Sequence, residues 1–184
     1  MRTEQELARL CTACDREAQG ELYAQYASRL YALCYRYVAD REEAQDLMHD
    51  AMRKAMNSFR SFSYSGEGSL YAWLRRLTVN VVIDRLRQMS RLRLVPLDQT
   101  METDNTDTDY DSADDIPAQV LMDMVAALPS VRRTVFNMYC IDGFSHKDIA
   151  AAIGITEKGS ASILAKARAQ LKSQVNDYLK RTGR

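Results

Sequence analysis

The sequence is short of the residues that bend a chain. Seven glycines and three prolines are spread over 184 residues. Barrels and sandwiches turn often and need such residues, so their scarcity favours an all-α fold. No apolar run approaches the roughly 20 residues that a bilayer crossing requires, so a membrane-inserted chain is not expected. The opening stretch, MRTEQELARL, holds Glu4 and Glu6 where an export signal needs an apolar core, and the expected location is cytoplasmic. Cysteine is also sparse. Cys11, Cys14, Cys34 and Cys140 do not make a disulfide framework, and no second Cys/His pair follows Cys11 and Cys14 at finger spacing. Neither a metal nor a cofactor is therefore expected, and the thiols should be reduced and half-buried. With hydrophobic residues at 46% and charged ones at 27%, a disordered or collagenous chain is excluded.

An excess of either charge is missing too: 25 basic and 25 acidic residues give a formal net charge of zero. The zero hides a pattern. Residues 1–52 hold 6 basic and 10 acidic side chains, and residues 53–93 hold 9 and 2. Residues 94–117 hold no basic and 8 acidic side chains, and residues 118–184 hold 10 and 5. Charge acts through its local distribution, so two basic segments keep a nucleic-acid partner open.

What is present is mostly helical period. Thr3 and Glu6 have capping-box spacing, and Leu7, Leu10, Cys14 and Ala18 predict one helix to Ala18. Leu22, Tyr26, Leu30, Leu33 and Tyr37 predict a second. Asp40 with Glu43 opens a third, whose Ala44, Leu47, Met48, Ala51, Met52, Ala55, Met56 and Phe59 form one apolar stripe. RSFSYSGEG is a polar and aromatic loop, after which Ser69 is expected to cap a long helix to about Arg91. From Val95 to Ile116 no period survives and Asp and Thr crowd together, which predicts a flexible acidic linker. Pro117 suits the first position of the next helix. Four helices follow: Ala118 to Leu128, Ser130 to about Asp142, one capped by Ser145 with Asp148, and one capped by Thr156. The expected domains are residues 1–94, the linker 95–117, and residues 118–184.

Three groups of residues carry functional signals. From His146 to Ala165 the spacing is that of a helix-turn-helix. Ile149 and Ile153 face inward, small Ala150 allows close approach, and Gly154 supplies the left-handed turn. The helix from Thr156 would then enter the major groove, with Lys158, Ser162 and Lys166 on one exposed face and Lys166, Arg168 and Lys172 available to phosphates. A plain helical hairpin with a solvated basic face is the competing reading. On the long helix, Arg76, Asn80, Asp84, Arg87 and Arg91 recur at spacings of 4, 4, 3 and 4, away from Leu70, Leu74, Leu77 and Val81. Phe59, Phe62, Tyr64, Tyr71 and Trp73 interleave with Arg60 just upstream, a composition suited to an unstacked base. Core aromatics beside a solvated face would look the same. On the Met-rich helix, Gln45, Asp46, His49, Asp50 and Arg53 form a polar face. No phosphate loop, carboxylate pair or nucleophile–base pair is present, so an enzyme is not expected.

The runs YRYVADREEAQDLMHDAMRKAM and SLYAWLRRLTVNVVIDRLR resemble the second region of RNA polymerase sigma factors of the extracytoplasmic-function (ECF) type. LPSVRRTVFNMYCIDGFSHKDIAAAIGITEKGSASILAKARAQL resembles their fourth region. The likeness spans about Gly20 to Arg91 and Ala118 to Val175. It implies that core RNA polymerase, promoter DNA and an anti-sigma factor are the partners. Asp46, Leu47, His49, Asp50 and Arg53 fall where the family docks on the clamp helices of the largest subunit, with the flap region as a further contact. Phe62, Tyr64 and Ser65 fall on the loop that captures a base of the minus-ten element. Trp73, Arg75, Arg76, Asn80, Asp84 and Arg87 fall on the helix that melts and reads it. Ser145, Lys147, Thr156, Lys158, Ser160, Ala161, Ser162, Lys166 and Arg168 fall on the minus-thirty-five reader. The linker would thread toward the RNA exit path. His49 and Asp50 stand where the family usually has Gln and Glu, which makes docking weaker or pH-sensitive. Ala161, Ile163 and Ala165 leave the reader less polar than is usual, so no base preference carries over.

Two other functions remain open on the residues alone. One is a stand-alone helix-turn-helix regulator, which would bind palindromic DNA without polymerase. The other is an interaction protein that sequesters a transcription component. The acidic linker either folds back on the basic faces or serves as a solubilising spacer.

Overall fold

Thr3 begins the first helix as expected. Its Oγ1 accepts from the Glu6 amide while the Glu6 carboxylate accepts from the Thr3 amide, a reciprocal cap on α1 (Glu4–Thr12). The helix does not run on to Ala18. Cys14 takes a left-handed φ of 61°, and Asp15 accepts from the Ala18 amide to start α2 (Arg16–Val38). The buried face of α1 is therefore Leu7, Ala8 and Cys11, and Cys14 is exposed rather than half-buried. Asp40 caps α3 (Arg41–Ser58) through the Glu43 amide. The apolar stripe of α3 is buried from Ala44 to Ala55, with Met56 half-buried. A short 3₁₀ turn, Phe59–Ser61, leads through a loop to α4 (Ser69–Arg91).

The inward face of α4 differs from the expected one. Leu70, Leu74, Thr78, Val79, Val82 and Ile83 are buried, while Leu77 and Val81 are only half-buried. Thr78 can sit inside because its hydroxyl donates to the Leu74 carbonyl at 2.7 Å. A polar residue name had concealed a core position.

The described residues are 2–91 and 116–182, side chains of 90 and 91 excepted, in a computed structural model. Most of the acidic linker and the Arg91 side chain lie outside them. Among the described residues every regular element is helical. The chain divides into two compact units, Met1–Gln88 and Met89–Arg184. In the first, α1 to α4 bury Tyr37, Phe59, Leu7, Leu22, Leu30, Leu70 and Leu74 almost completely. At about 1.5–3 kcal/mol per large apolar side chain, this core is the main stabilising term.

The second unit holds α5 (Ala118–Ala126), α6 (Ser130–Phe136), α7 (His146–Ile153) and α8 (Glu157–Thr182). Pro117 lies one place before the first helical residue, as N-cap rather than N1. The helix from Ser130 closes in a π-type turn, Asn137–Ile141, in which the Asp142 amide donates to the Asn137 carbonyl. Val135, Met138, Ile149, Ile163, Leu164 and Ala167 form the core. Ile153 and Ala150 are half-buried. Arg133 is itself buried, and its guanidinium donates to the carbonyls of Ala126 and Leu128 at 2.6 and 3.3 Å. The Ala126 carbonyl is one that the end of α5 leaves without a helical partner, and Leu128 lies just beyond that end.

Candidate nucleic-acid interface

The loop before α4 is held open by two glycines with left-handed φ, Gly66 at 121° and Gly68 at 86°. Phe62, half-buried, lies 5.2 Å from the Trp73 ring at 50°, and both lean on buried Phe59. Tyr64 projects outward with 39% of its surface exposed. Ser65 is exposed, and its amide donates to the Ser69 hydroxyl. Ser69 is not the cap expected of it: its hydroxyl donates back to the Gly66 carbonyl at 2.6 Å. The cap comes from α1. The Glu4 carboxylate accepts from the amides of Gly68 at 2.6 Å, Leu70 at 3.1 Å and Tyr71 at 3.4 Å.

Downstream, Arg76, Asn80 and Asp84 stand exposed on one side of α4. Arg87 is half-buried, with a nitrogen 4.0 Å from the Asp84 carboxylate. Arg75 is half-buried on the flank. The stripe borders the Phe62–Trp73 pair, so a planar aromatic surface and cationic side chains adjoin.

On α3, Asp46, His49, Asp50 and Arg53 are exposed together, and Arg53 donates to Asp50 at 2.8 Å. Leu47 is buried with 4% of its surface exposed, so it belongs to the core and not to this face. His49 has a partner from α2 that sequence spacing does not reveal. The Tyr23 hydroxyl lies 3.1 Å from His49 Nε2, with the rings stacked at 6.2 Å and 9°. Tyr23 keeps 41% exposure, which gives the face an aromatic edge.

In the second unit α7 carries a reciprocal cap of its own between Ser145 and Asp148. Hydrogen bonds from Ser145 hold the Asp148 carboxyl below its ordinary range. Gly154 takes φ 76° and its amide returns to the Ala150 carbonyl, the turn that the spacing predicts. Thr156 caps α8 by accepting from the Gly159 amide at 3.0 Å. Lys147, Thr156, Lys158, Ala161, Ala165, Arg168 and Lys172 are exposed. The open stripe of α8 runs through Lys158, Ala161, Ala165, Arg168 and Lys172. Ser162 and Lys166 lie half-buried beside it, not at its centre. Ser160 is fully buried and bonded to His146 Nδ1 at 3.0 Å, so it positions α7 against α8 and cannot touch DNA. The His146 ring stacks on Tyr139 at 4.4 Å, and the Arg168 guanidinium lies 5.8 Å over the Tyr139 ring.

A family model described as Sigma-70 region 2 matches residues 22–92, and one described as Sigma-70, region 4 matches residues 118–171. Together they span more than half of the chain. The chain is 29% identical over 171 residues to the ECF RNA polymerase sigma factor SigE of Mycolicibacterium smegmatis, covering 86% of this chain and 60% of that protein. It is 28% identical over 170 residues to SigM of Mycobacterium tuberculosis, covering 92% of this chain and 83% of the relative. The chain is an ECF sigma factor. A solved structure of CnrH, in complex with the cytosolic domain of CnrY, has the same fold, with a TM-score of 0.50, 20% identity and coverage of 95% and 97%.

In this sigma factor the first unit carries most of the region-2 match and the second carries the region-4 match. Among the expected residues, Phe62 and Trp73 come together directly, and Arg76, Asn80 and Asp84 share a side. Leu47 and Ser160 do not belong to a surface at all. Glu4, Tyr23, Tyr139 and Arg29 were not foreseen. Arg29 lies 3.6 Å above the Tyr71 ring, at the start of α4. None of the helices among the described residues is long and apolar enough to cross a membrane.

Proposed function

We propose that this sigma factor docks on core RNA polymerase through the exposed face of α3, Asp46, His49, Asp50 and Arg53 with Tyr23 beside them. It captures an unpaired base of the minus-ten element at Phe62, Tyr64 and Trp73, and grips the strand with Arg75, Arg76, Asn80 and Arg87. It reads the minus-thirty-five element with α8, where Lys158, Ala161, Arg168 and the flanking Ser162 and Lys166 meet the groove and Lys147 meets phosphate. The factor works in the cytoplasm beside polymerase, acts by binding with no reaction of its own, and is held off by an anti-sigma factor. Residues 1–94 and 118–184 are its two working domains and residues 95–117 the linker between them. The observation that carries this reading is the half-open Phe62–Trp73 pair at the head of a cationic helix stripe. Two weak readers held on one polymerase gain from effective concentration what each lacks alone. The test is transcription from a genomic promoter library by core enzyme with and without the factor. Transcripts that depend on the factor support the reading, and their absence from every fragment refutes it.

A further inference from the structure

At the start of α4 every amide from Gly68 to Ala72 can be followed to its acceptor. Gly68, Leu70 and Tyr71 donate to Glu4. The Ser69 amide donates to the Gly66 carbonyl, and the Ala72 amide to the Gly68 carbonyl. A helix N-terminus presents orphan donors and a positive dipole end, which favours an anion there. Here the anion is a side chain that arrives from another helix, 64 residues earlier in the chain. Burial pushes the nearby Tyr26 phenol above its ordinary range, and the Glu4 charge pushes it the same way. Tyr26 in turn stacks on Tyr71 at 6.1 Å. The carboxylate thus joins α1 to the first turn of α4 at a single point.

That point adjoins the loop of Phe62, Tyr64 and Ser65. Gly66 and Gly68 have no Cβ of their own to limit the backbone of that loop. A loop built to receive a base loses affinity if it must first be ordered, because the ordering entropy is then charged to binding. We propose that Glu4 is a positioning residue for base capture. By fixing Gly68 and the first turn of α4, it sets the loop against Trp73 before DNA arrives. The inference rests on the base-capture reading above. It also goes beyond the matched family region, because α1 lies wholly before residue 22 where that match begins.

The test uses the full chain assembled with core polymerase, on a promoter fragment from the transcription screen with its minus-ten element left unpaired. Glu4→Ala removes every acceptor, and Glu4→Gln keeps one carbonyl without the charge. Glu4→Ala should shorten the life of the complex about fivefold and Glu4→Gln about twofold, the scale of lost charge-assisted hydrogen bonds. Single abasic nucleotides are then placed in turn along the unpaired strand. At the captured position the wild-type complex weakens, and the penalty of Glu4→Ala should shrink toward none, because there is no base left to position for. An equal penalty on every abasic template would mean that Glu4 only stabilises the unit, and would overturn the proposal. So would the absence of any penalty on the intact strand. If wild type shows no sensitive position, base capture itself fails, a result independent of any Glu4 variant. If thermal melting followed by Trp73 fluorescence shows Glu4→Ala unfolded, Glu4→Gln carries the same comparison.

Discussion

Lys158 and Arg168 stand exposed on the open stripe of α8, and removing both charges tests whether that stripe meets DNA. Each phosphate neutralised by a cation contributes about 0.9 to the slope of log affinity against log salt. Lys158→Gln with Arg168→Gln should therefore lower the slope by about 1.8. Between about 50 and about 150 mM salt, wild type would lose roughly sevenfold more affinity than the double variant. The electrostatic term ignores base sequence, so a labelled duplex of about 30 base pairs and arbitrary sequence serves, with anisotropy as the readout. Arg53→Gln is the control, since Arg53 is spent on Asp50 at 2.8 Å on the α3 face. It should leave the slope unchanged. Arg168 also lies over Tyr139, so a melting curve must show that the double variant stays folded. A folded double variant with the wild-type slope would show that this face of α8 does not carry the DNA contact.

Other outcomes follow from backbone and burial. Ala39 ends α2 at φ 54° and ψ 27°, a left-handed conformation that costs a side chain about 1 kcal/mol. Ala39→Gly should raise the melting temperature of the first unit by about 4 °C, followed through Trp73, the sole tryptophan; a fall would contradict the cap. Arg133→Met should destabilise the second unit by about 2–4 kcal/mol in urea unfolding followed by circular dichroism, since two buried carbonyls lose a charged donor. An unchanged midpoint would refute that role, and the Trp73 signal should not shift. Burial pushes the Cys11 thiol up to about 11 and Cys34 up to about 12, while Cys14 and Cys140 are exposed. Raised values mean protonated thiols whose stabilising contribution is complete below the ordinary thiol range near about 8.5 and is lost as pH rises past it. At pH near 8, about two thiols should react promptly with a disulfide reagent and four after denaturation; prompt reaction of three would contradict the burial.

Local signals in the sequence were legible where cause and effect lie within a helical turn or two. The caps at Thr3, Asp40, Ser145 and Thr156, the glycine turn at Gly154 and the apolar stripe of α3 are of this kind. The break at Cys14 was missed because apolar period continued across it, although Asp15 offered a cap. Thr78 was passed over because its own backbone bond, which makes it tolerable in the core, is a local geometry that hydropathy does not register. Leu47 and Ser160 went the other way: family position marked them as surface, but each points inward along its helix. The Tyr23–His49 and Glu4–Gly68 contacts join residues 26 and 64 apart. No periodicity links such pairs. The π-type turn at Asn137–Ile141 has no sequence marker either.

The Glu4 bridge also bears on how the first unit opens. Amides in the first turn of a helix usually fray alone and exchange their hydrogens fast. Those of Leu70 and Tyr71 are bonded to α1, so they open when α1 leaves its place. Their exchange clock belongs to the far end of the unit, and the two ends of the first domain form one cooperative piece.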